Sequence, residues 1–258
     1  MDKKIIYYND ISDDFEEHKK EPIKIDSSYK YFHKNPLWNL ISFVAYRIIA
    51  TPIAYLFMKI RFKFKIVNKN LLKQAKGQGY FIYSNHTQLI GDAFAPTLVN
   101  FPKKTYVVVH PYNVSIPFWG NIIKLLGPLP IPSDLDSGRN FFDAMKKIIA
   151  KKQSIVIYPE AHVWSYYTKI REFDESSFKY PVKLNVPVYT ATTTYKERKN
   201  KVPQIVTYID GPFYPEGNST SEKKMSLRNK VFEKMNERAK CSDTEYIKYV
   251  KNKENVDD

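Results

Sequence analysis

After residue 60 the chain consists of short segments with two different patterns of apolar positions, one typical of strands and one typical of helices. Runs rich in β-branched and aromatic residues are typical of strands, whereas apolar residues at helical spacing indicate helices. The pattern predicts strands at 62–67, 80–84, 105–109, 154–158, 186–193 and 204–209. It predicts helices at 93–99, 117–126, 140–152, 177–184 and 222–239. This alternation indicates α/β architecture: a single domain whose mixed, largely buried sheet is flanked by helices.

The most apolar stretch, residues 37–58, approaches the length of about 20 residues that a membrane span needs. Arg47 lies near its middle and would cost about 2.5–3.5 kcal/mol inside a bilayer. Pro52 interrupts or kinks a helix. We therefore expect residues 35–62 to form an N-terminal membrane-interacting helical hairpin that dips into one leaflet, with the basic residues of 59–65 against anionic headgroups. A true span and an ordinary core helix are the alternatives.

The two ends of the chain differ in character from its middle. Residues 1–34 are charged and irregular, which predicts a surface extension. They contain no apolar segment followed by a small-residue cleavage site, so we expect no cleaved signal peptide and no secretion. Residues 35–240 form the predicted domain, and residues 241–258 form a C-terminal tail that we expect to be mobile from residue 252 onward.

Composition narrows the partners and the chemistry. The net charge of +14 suits anionic partners such as lipid headgroups or phosphorylated carriers. No nucleic-acid-binding motif occurs, so nucleic acid is not expected as a partner. The single cysteine, Cys241, excludes an internal disulfide and a thiolate zinc site within one chain. The histidines show no spacing typical of a metal site, and no metal is predicted.

The segment with the clearest chemistry follows the predicted strand 80–84. That strand runs into Asn85 and His86, a short turn follows, and Asp92 precedes an apolar helix. Functional groups of open α/β sheets cluster at the carboxyl ends of strands. Histidine accepts a proton near neutral pH, and an aspartate on its second ring nitrogen would fix the tautomer. No Gly-x-Ser-x-Gly segment is present, so the pair suits direct activation of a substrate hydroxyl.

Asn85-His86 followed by Asp92 resembles the Asn-His-x4-Asp signature of the glycerolipid (lysophospholipid) acyltransferases, although five residues intervene here instead of four. Three further blocks follow in the family's order. Residues 116–131 contain Gly127 and end in Ile131, like the second block. Tyr158-Pro159-Glu160 resembles the Phe-Pro-Glu-Gly of the third block, and Val186-Pro187-Val188 resembles the fourth. The resemblance covers about residues 36–240.

The resemblance implies transfer of a fatty acyl group from acyl-CoA or acyl carrier protein to a hydroxyl of a lysophospholipid-like (1-acylglycerol-3-phosphate-like) acceptor, without a cofactor or covalent intermediate. It gives His86 the role of general base and Asp92 that of its partner. It places Asn85, Gly127, Ile131, Tyr158, Pro159 and Glu160 at the substrate, with Glu160 facing the acceptor. The expected location is the cytoplasmic face of a membrane, peripheral or monotopic.

Two arginines that bind the acceptor phosphate in the family are missing. Pro132 and Ser133 follow Ile131, and Ala161-His162-Val163 follows Glu160. Arg139 and His162 are the replacement candidates, with Lys124, Lys169 and Arg171 behind them. Transfer to a non-phosphorylated acceptor is therefore an alternative. A lipid- or carrier-binding protein without turnover is another, and it predicts a disengaged His–Asp pair with no space beside His86.

Overall fold

The computed structural model describes residues 4–16 and 21–252. Its centre is a seven-stranded sheet with the order β2-β8-β7-β3-β6-β4-β5. The strands are β2 Lys65–Val67, β3 Tyr80–Ser84, β4 Thr105–Val109, β5 Pro128–Pro130, β6 Ser154–Ile157, β7 Val188–Lys196 and β8 Gln204–Phe213. All neighbouring pairs are parallel except β7 and β8. The predicted mixed α/β sheet is confirmed.

Helices cover both faces of this sheet. They are α1 Pro36–Phe43, α2 Thr51–Phe62, α3 Gly91–Asn100, α4 Tyr112–Ser115, α5 Trp119–Leu126, α6 Ser137–Ala150, α7 Lys179–Leu184 and α8 Thr220–Ala239. Side chains of a strand alternate between faces. Phe81 and Tyr83 of β3 therefore pack against α6 and α8, whereas Tyr80 and Ile82 face the opposite side, where α2 and α3 lie.

The N-terminal helices form one continuous helix, Pro36–Phe62, rather than the expected hairpin. The segment Val44–Ala50 between α1 and α2 is π-helical. There the Thr51 N–H pairs with the Tyr46 carbonyl, and the Thr51 hydroxyl donates to the same oxygen at 2.7 Å. The wider π turn accommodates Pro52, which lacks an N–H and would clash with the preceding turn of a regular helix. The prediction of a chain reversal near Pro52 is therefore wrong.

Most of this helix is exposed, so it is not a core helix. Thr51, Ala54, Met58 and Phe62 face the sheet, while the opposite side presents large apolar residues that include Ile48, Ile49, Ile53, Leu56 and Ile60. Within the described part of the chain it is the one helix long and apolar enough to cross a membrane, by length and composition. Arg47 points back to the body of the protein, where it donates to the Pro102 carbonyl at 2.5 Å.

The ends of the chain are more ordered than the sequence predicted. Strand β1, Lys4–Tyr8, pairs in parallel with β9, Ile247–Lys251, in a separate two-stranded sheet. The Asp13 carbonyl accepts a hydrogen bond from the Trp164 indole, and Ile25 is fully buried. The two paired strands lie at opposite ends of the chain, so the sequence near either strand does not indicate the pairing. The expected mobility of the tail concerns residues 253–258 almost entirely, and these lie outside the described residues.

Candidate active site

The carboxyl end of β3 delivers His86 to the edge of the sheet. Asn85 is buried, and its side chain bonds both the N–H and the carbonyl of Thr193 on β7, at 2.8 and 2.9 Å. Asn85 thus fixes the turn out of the strand and is not among the residues that line the cavity described below. Beyond this anchor the His86 side chain keeps 20% of its surface exposed.

His86 and Asp92 are in hydrogen-bond contact despite the additional residue between them. The distance from His86 Nδ1 to Asp92 Oδ2 is 2.8 Å. The backbone N–H groups of Thr87 and Gln88 donate to the same oxygen at 2.9 Å each. A carboxylate only accepts, so Nδ1 carries the proton in the neutral imidazole and Nε2 is left as the basic nitrogen. The expectation that Asp92 reaches His86 is confirmed in geometry.

Hydrogen bonds to Tyr195 of β7 fix the loop between His86 and Asp92. The buried Tyr195 hydroxyl lies 3.0 Å from the Thr87 carbonyl, 2.7 Å from the Thr87 hydroxyl and 3.1 Å from Gln88 Nε2. The Thr87 carbonyl also accepts from the N–H of Tyr166 at 2.9 Å. Helix α3 begins at Gly91, where a Cβ would lie 2.8 Å from the Gln88 side chain. These contacts accommodate the additional residue.

Tyr158, directly after the neighbouring strand β6, contacts both members of the pair. Its ring stacks on the His86 imidazole, with centroids 4.3 Å apart and an interplanar angle of 21°. Its hydroxyl donates to the Asp92 backbone carbonyl at 2.7 Å. Burial, together with the Asp92 charge, raises the pKa of the Tyr158 hydroxyl well above its ordinary value. The hydroxyl therefore stays protonated and acts as a donor.

Glu160, which the resemblance places at the acceptor, is buried behind His86 and does not line the cavity described below. Its side chain is fully buried and accepts from the N–H groups of His86 and Arg171 at 2.9 Å each. The Arg171 guanidinium lies 3.4 Å away and also bonds the His162 carbonyl. Burial raises the pKa of the Glu160 carboxyl, against the opposing effect of Arg171. The pair fixes the backbone of His86 and leaves Arg171 unavailable for an acceptor phosphate.

A cavity of about 570 Å³ opens beside His86 and Asp92. One side is formed by Tyr46, Ala50, Thr51 and Ala54 of the long helix, and the other by residues around Ile123, Leu126 and Gly127. Among the predicted substrate-binding residues, the lining includes Gly127, Ile131, Tyr158, Pro159 and His162 but not Asn85, Glu160 or Arg139. Arg139 lies exposed on α6, away from this lining. An engaged pair beside open space is the opposite of what a protein without turnover predicts.

The charged groups of the cavity are mainly acidic. Asp14, Glu16 and Asp174 line it, and no Lys or Arg lines it among the described residues. His162 lies 3.1 Å from Asp14. The contribution of the N-terminal segment was missed from the sequence, because nothing local distinguishes these acids from a solvated surface. Within 4–16 and 21–252, no group of three or more His, Cys, Asp or Glu side chains could hold a metal ion.

A hydrogen-bonded histidine–aspartate pair at the carboxyl end of β3, beside a cavity with a mainly apolar lining, is typical of an enzyme active site. The comparisons with known proteins give the family. A family model described as acyltransferase matches residues 63–194, about half of the chain, so the protein belongs to the acyltransferase family. The resemblance drawn from the sequence is thereby confirmed.

A solved structure shares the fold. It is the 1-acyl-sn-glycerophosphate (LPA) acyltransferase PlsC from Thermotoga maritima, with a TM-score of 0.53 and 17% sequence identity over 79% of this chain and 78% of that chain. A search of curated proteins found no matching sequence. The family model ends before β8 and α8, whereas the structural likeness extends over most of the chain.

Proposed function

We propose that this protein transfers a fatty acyl group from acyl-CoA or acyl carrier protein to a hydroxyl of a lysophospholipid-like acceptor of the 1-acylglycerol-3-phosphate kind. The observation that carries the proposal is the contact of His86 with Asp92 at a cavity large enough for lipid chains. Membership of the acyltransferase family and the PlsC-like fold support the same reaction class.

In the proposed reaction His86 Nε2 takes the proton of the acceptor hydroxyl as its oxygen attacks the thioester carbonyl. Asp92 stabilises the imidazolium that forms. When the tetrahedral intermediate collapses, the carbon–sulfur bond breaks and His86 returns the proton to the leaving thiolate. No covalent enzyme intermediate and no cofactor enter this route. A general base in this position contributes about 10²–10⁴-fold to the rate.

The long helix supports a membrane location for the reaction. Its exposed apolar face suits the hydrocarbon region of a bilayer, and its inner side lines the cavity beside His86. Lys59, Arg61, Lys63 and Lys65 at its end suit anionic headgroups. The cytoplasmic face of a membrane is the location we propose. Flotation with vesicles that contain an anionic phospholipid tests the membrane association, and a chain that stays at the bottom of the gradient contradicts it.

A non-phosphorylated acceptor is the second candidate, and the charges of the cavity favour it. A phosphate group needs basic partners, preferably the planar fork of arginine. Arg139 lies away from the described lining, Arg171 is paired with Glu160, and Asp14 and Glu16 line the cavity. An acceptor with a neutral or cationic headgroup suits this lining better than a phosphomonoester does.

The test is acyl transfer from labelled acyl-CoA and from acyl carrier protein to a panel of acceptors. The panel holds lysophosphatidic acid, other lysophospholipids and hydroxyl lipids without phosphate. His86→Ala is expected to abolish transfer, whereas His33→Ala, a histidine outside the described cavity lining, is the matched control. Transfer that survives in His86→Ala contradicts the mechanism. The preferred acceptor decides between the two candidates.

A further inference from the structure

Helix α3 lacks one of its own hydrogen bonds at the catalytic aspartate. In an α-helix the carbonyl of residue 92 accepts from the N–H of residue 96. Residue 96 is Pro96, which has no N–H and lies in the second turn of α3. The predicted helix at 93–99 would have Pro96 in its first turn, whereas the helix begins two residues earlier, at Gly91. The Asp92 carbonyl therefore needs another donor.

Tyr158 supplies that donor from outside the helix. Its hydroxyl lies 2.7 Å from the Asp92 carbonyl oxygen, while its ring stacks 4.3 Å from the His86 ring. One side chain thus contacts the backbone of one partner and the ring of the other. The raised pKa of the Tyr158 hydroxyl keeps this donor protonated over the pH range in which His86 would work as a base.

We infer that Tyr158 is a positioning residue for acyl transfer: its hydroxyl replaces the missing Pro96 N–H on the Asp92 carbonyl, and its ring supports the His86 imidazole. The inference rests on the proposed function of His86 and Asp92. Without the hydroxyl, the first turn of α3 has lost a hydrogen bond and Asp92 is held less firmly against Nδ1. The imidazolium then loses part of its stabilisation, and the transition state loses it too.

The experiment uses the full chain and compares Tyr158→Phe, Pro96→Ala, the double variant and His86→Ala. Phenylalanine keeps the stacked ring and removes only the hydroxyl. Alanine at position 96 restores the backbone N–H that can donate to the Asp92 carbonyl within the helix. Tyr249→Phe is the matched control, because that hydroxyl also donates to a backbone carbonyl, at Ser165, outside the described cavity lining.

We expect Tyr158→Phe to lower kcat about tenfold with little change in KM, the size of effect that one lost hydrogen bond of this kind produces. The acid limb of its kcat/KM profile should move to lower pH, because the imidazolium is less stabilised. Adding Pro96→Ala should recover most of the loss, which a merely structural tyrosine would not allow. Thermal unfolding of each variant verifies the fold.

Two results overturn the inference. One is a Tyr158→Phe variant with wild-type kcat and pH profile while His86→Ala is inactive. The other is a double variant no faster than Tyr158→Phe alone. Failure of the proposed function is a separate result, in which His86→Ala keeps its activity whatever the variants at position 158 do.

Discussion

Removing Arg171 alone should destabilise the protein by an amount that depends on pH. In Arg171→Met a side chain of similar length loses its charge, and Glu160 is left buried opposite it. Glu160 has no exposed surface and keeps only two backbone N–H donors, from His86 and residue 171. Breaking a buried ion pair by deleting one partner typically costs about 3–5 kcal/mol.

Protonation of Glu160 limits this cost. An uncompensated buried carboxylate takes up a proton, which costs about 1.4 kcal/mol for each pH unit above its ordinary pKa of about 4.3. The limit is about 4 kcal/mol at pH 7 and about 2 kcal/mol at pH 5.5. The folded variant binds a proton that the unfolded chain releases above about pH 4.3, so stability falls as the pH rises.

Urea unfolding of wild type and Arg171→Met at both pH values, followed by intrinsic fluorescence, measures the difference. The double variant Arg171→Met with Glu160→Gln is the control, because it removes both charges and should lose the pH dependence while keeping any loss of packing against Trp164. An equal loss in the single variant at pH 5.5 and pH 7 would refute the reasoning. So would a loss below about 1 kcal/mol at pH 7.

Three further predictions follow from other contacts. Asp92→Asn should lower kcat by about 10²–10⁴-fold in the thioester assay, because His86 loses the acceptor that fixes its tautomer, and a loss under about tenfold contradicts this. Burial, reinforced by Arg47 and Lys151, lowers the pKa of Lys104 to about 8. Between about pH 8 and pH 10 the unfolded chain therefore binds a proton that the folded chain lacks. The stability of the wild type, measured by urea unfolding, should rise with pH in this window relative to that of Lys104→Met. Gly120→Ala should destabilise by about 1–3 kcal/mol, because the new Cβ meets the Val114 carbonyl at 2.5 Å, whereas Gly138→Ala, with open space around it, should leave the melting temperature unchanged or higher.

The sheet was largely predictable because its central strands β3, β6 and β7 are buried on both faces and most of its strands read as short apolar runs. Strands β3 and β4 have the predicted bounds, and the helices from α3 onward fall within a few residues of theirs. The short α4 and β5 were not predicted as separate elements. Residues 128–130 read Pro-Leu-Pro, which no strand pattern indicates. The error at Pro52 has another origin, because a π turn upstream can accommodate a proline that would break a regular helix.

The site was predictable where chemistry follows directly from local sequence, as at His86 and Asp92. It was not predictable where a side chain is used by a distant part of the chain. Nothing near Glu160 indicated that Arg171 would reach it, and nothing near Asp14 indicated that the N-terminal segment would line the cavity. The Tyr158 hydroxyl was a readable signal only once Pro96 was known to lie four residues beyond Asp92 within the same helix.

These contacts divide the site into two parts with different consequences. Asn85, Tyr158 and Glu160 hold backbone and ring atoms, and together they keep His86 and Asp92 engaged despite the additional residue between them. The cavity does not reproduce the phosphate-binding arginines of the family. Arg171 is paired with the buried Glu160, and the N-terminal segment contributes the acids Asp14 and Glu16 to the lining. The reaction class therefore follows from membership of the acyltransferase family, whereas the acceptor has to be inferred from the charges of this chain's own cavity and not from the name of its structural relative.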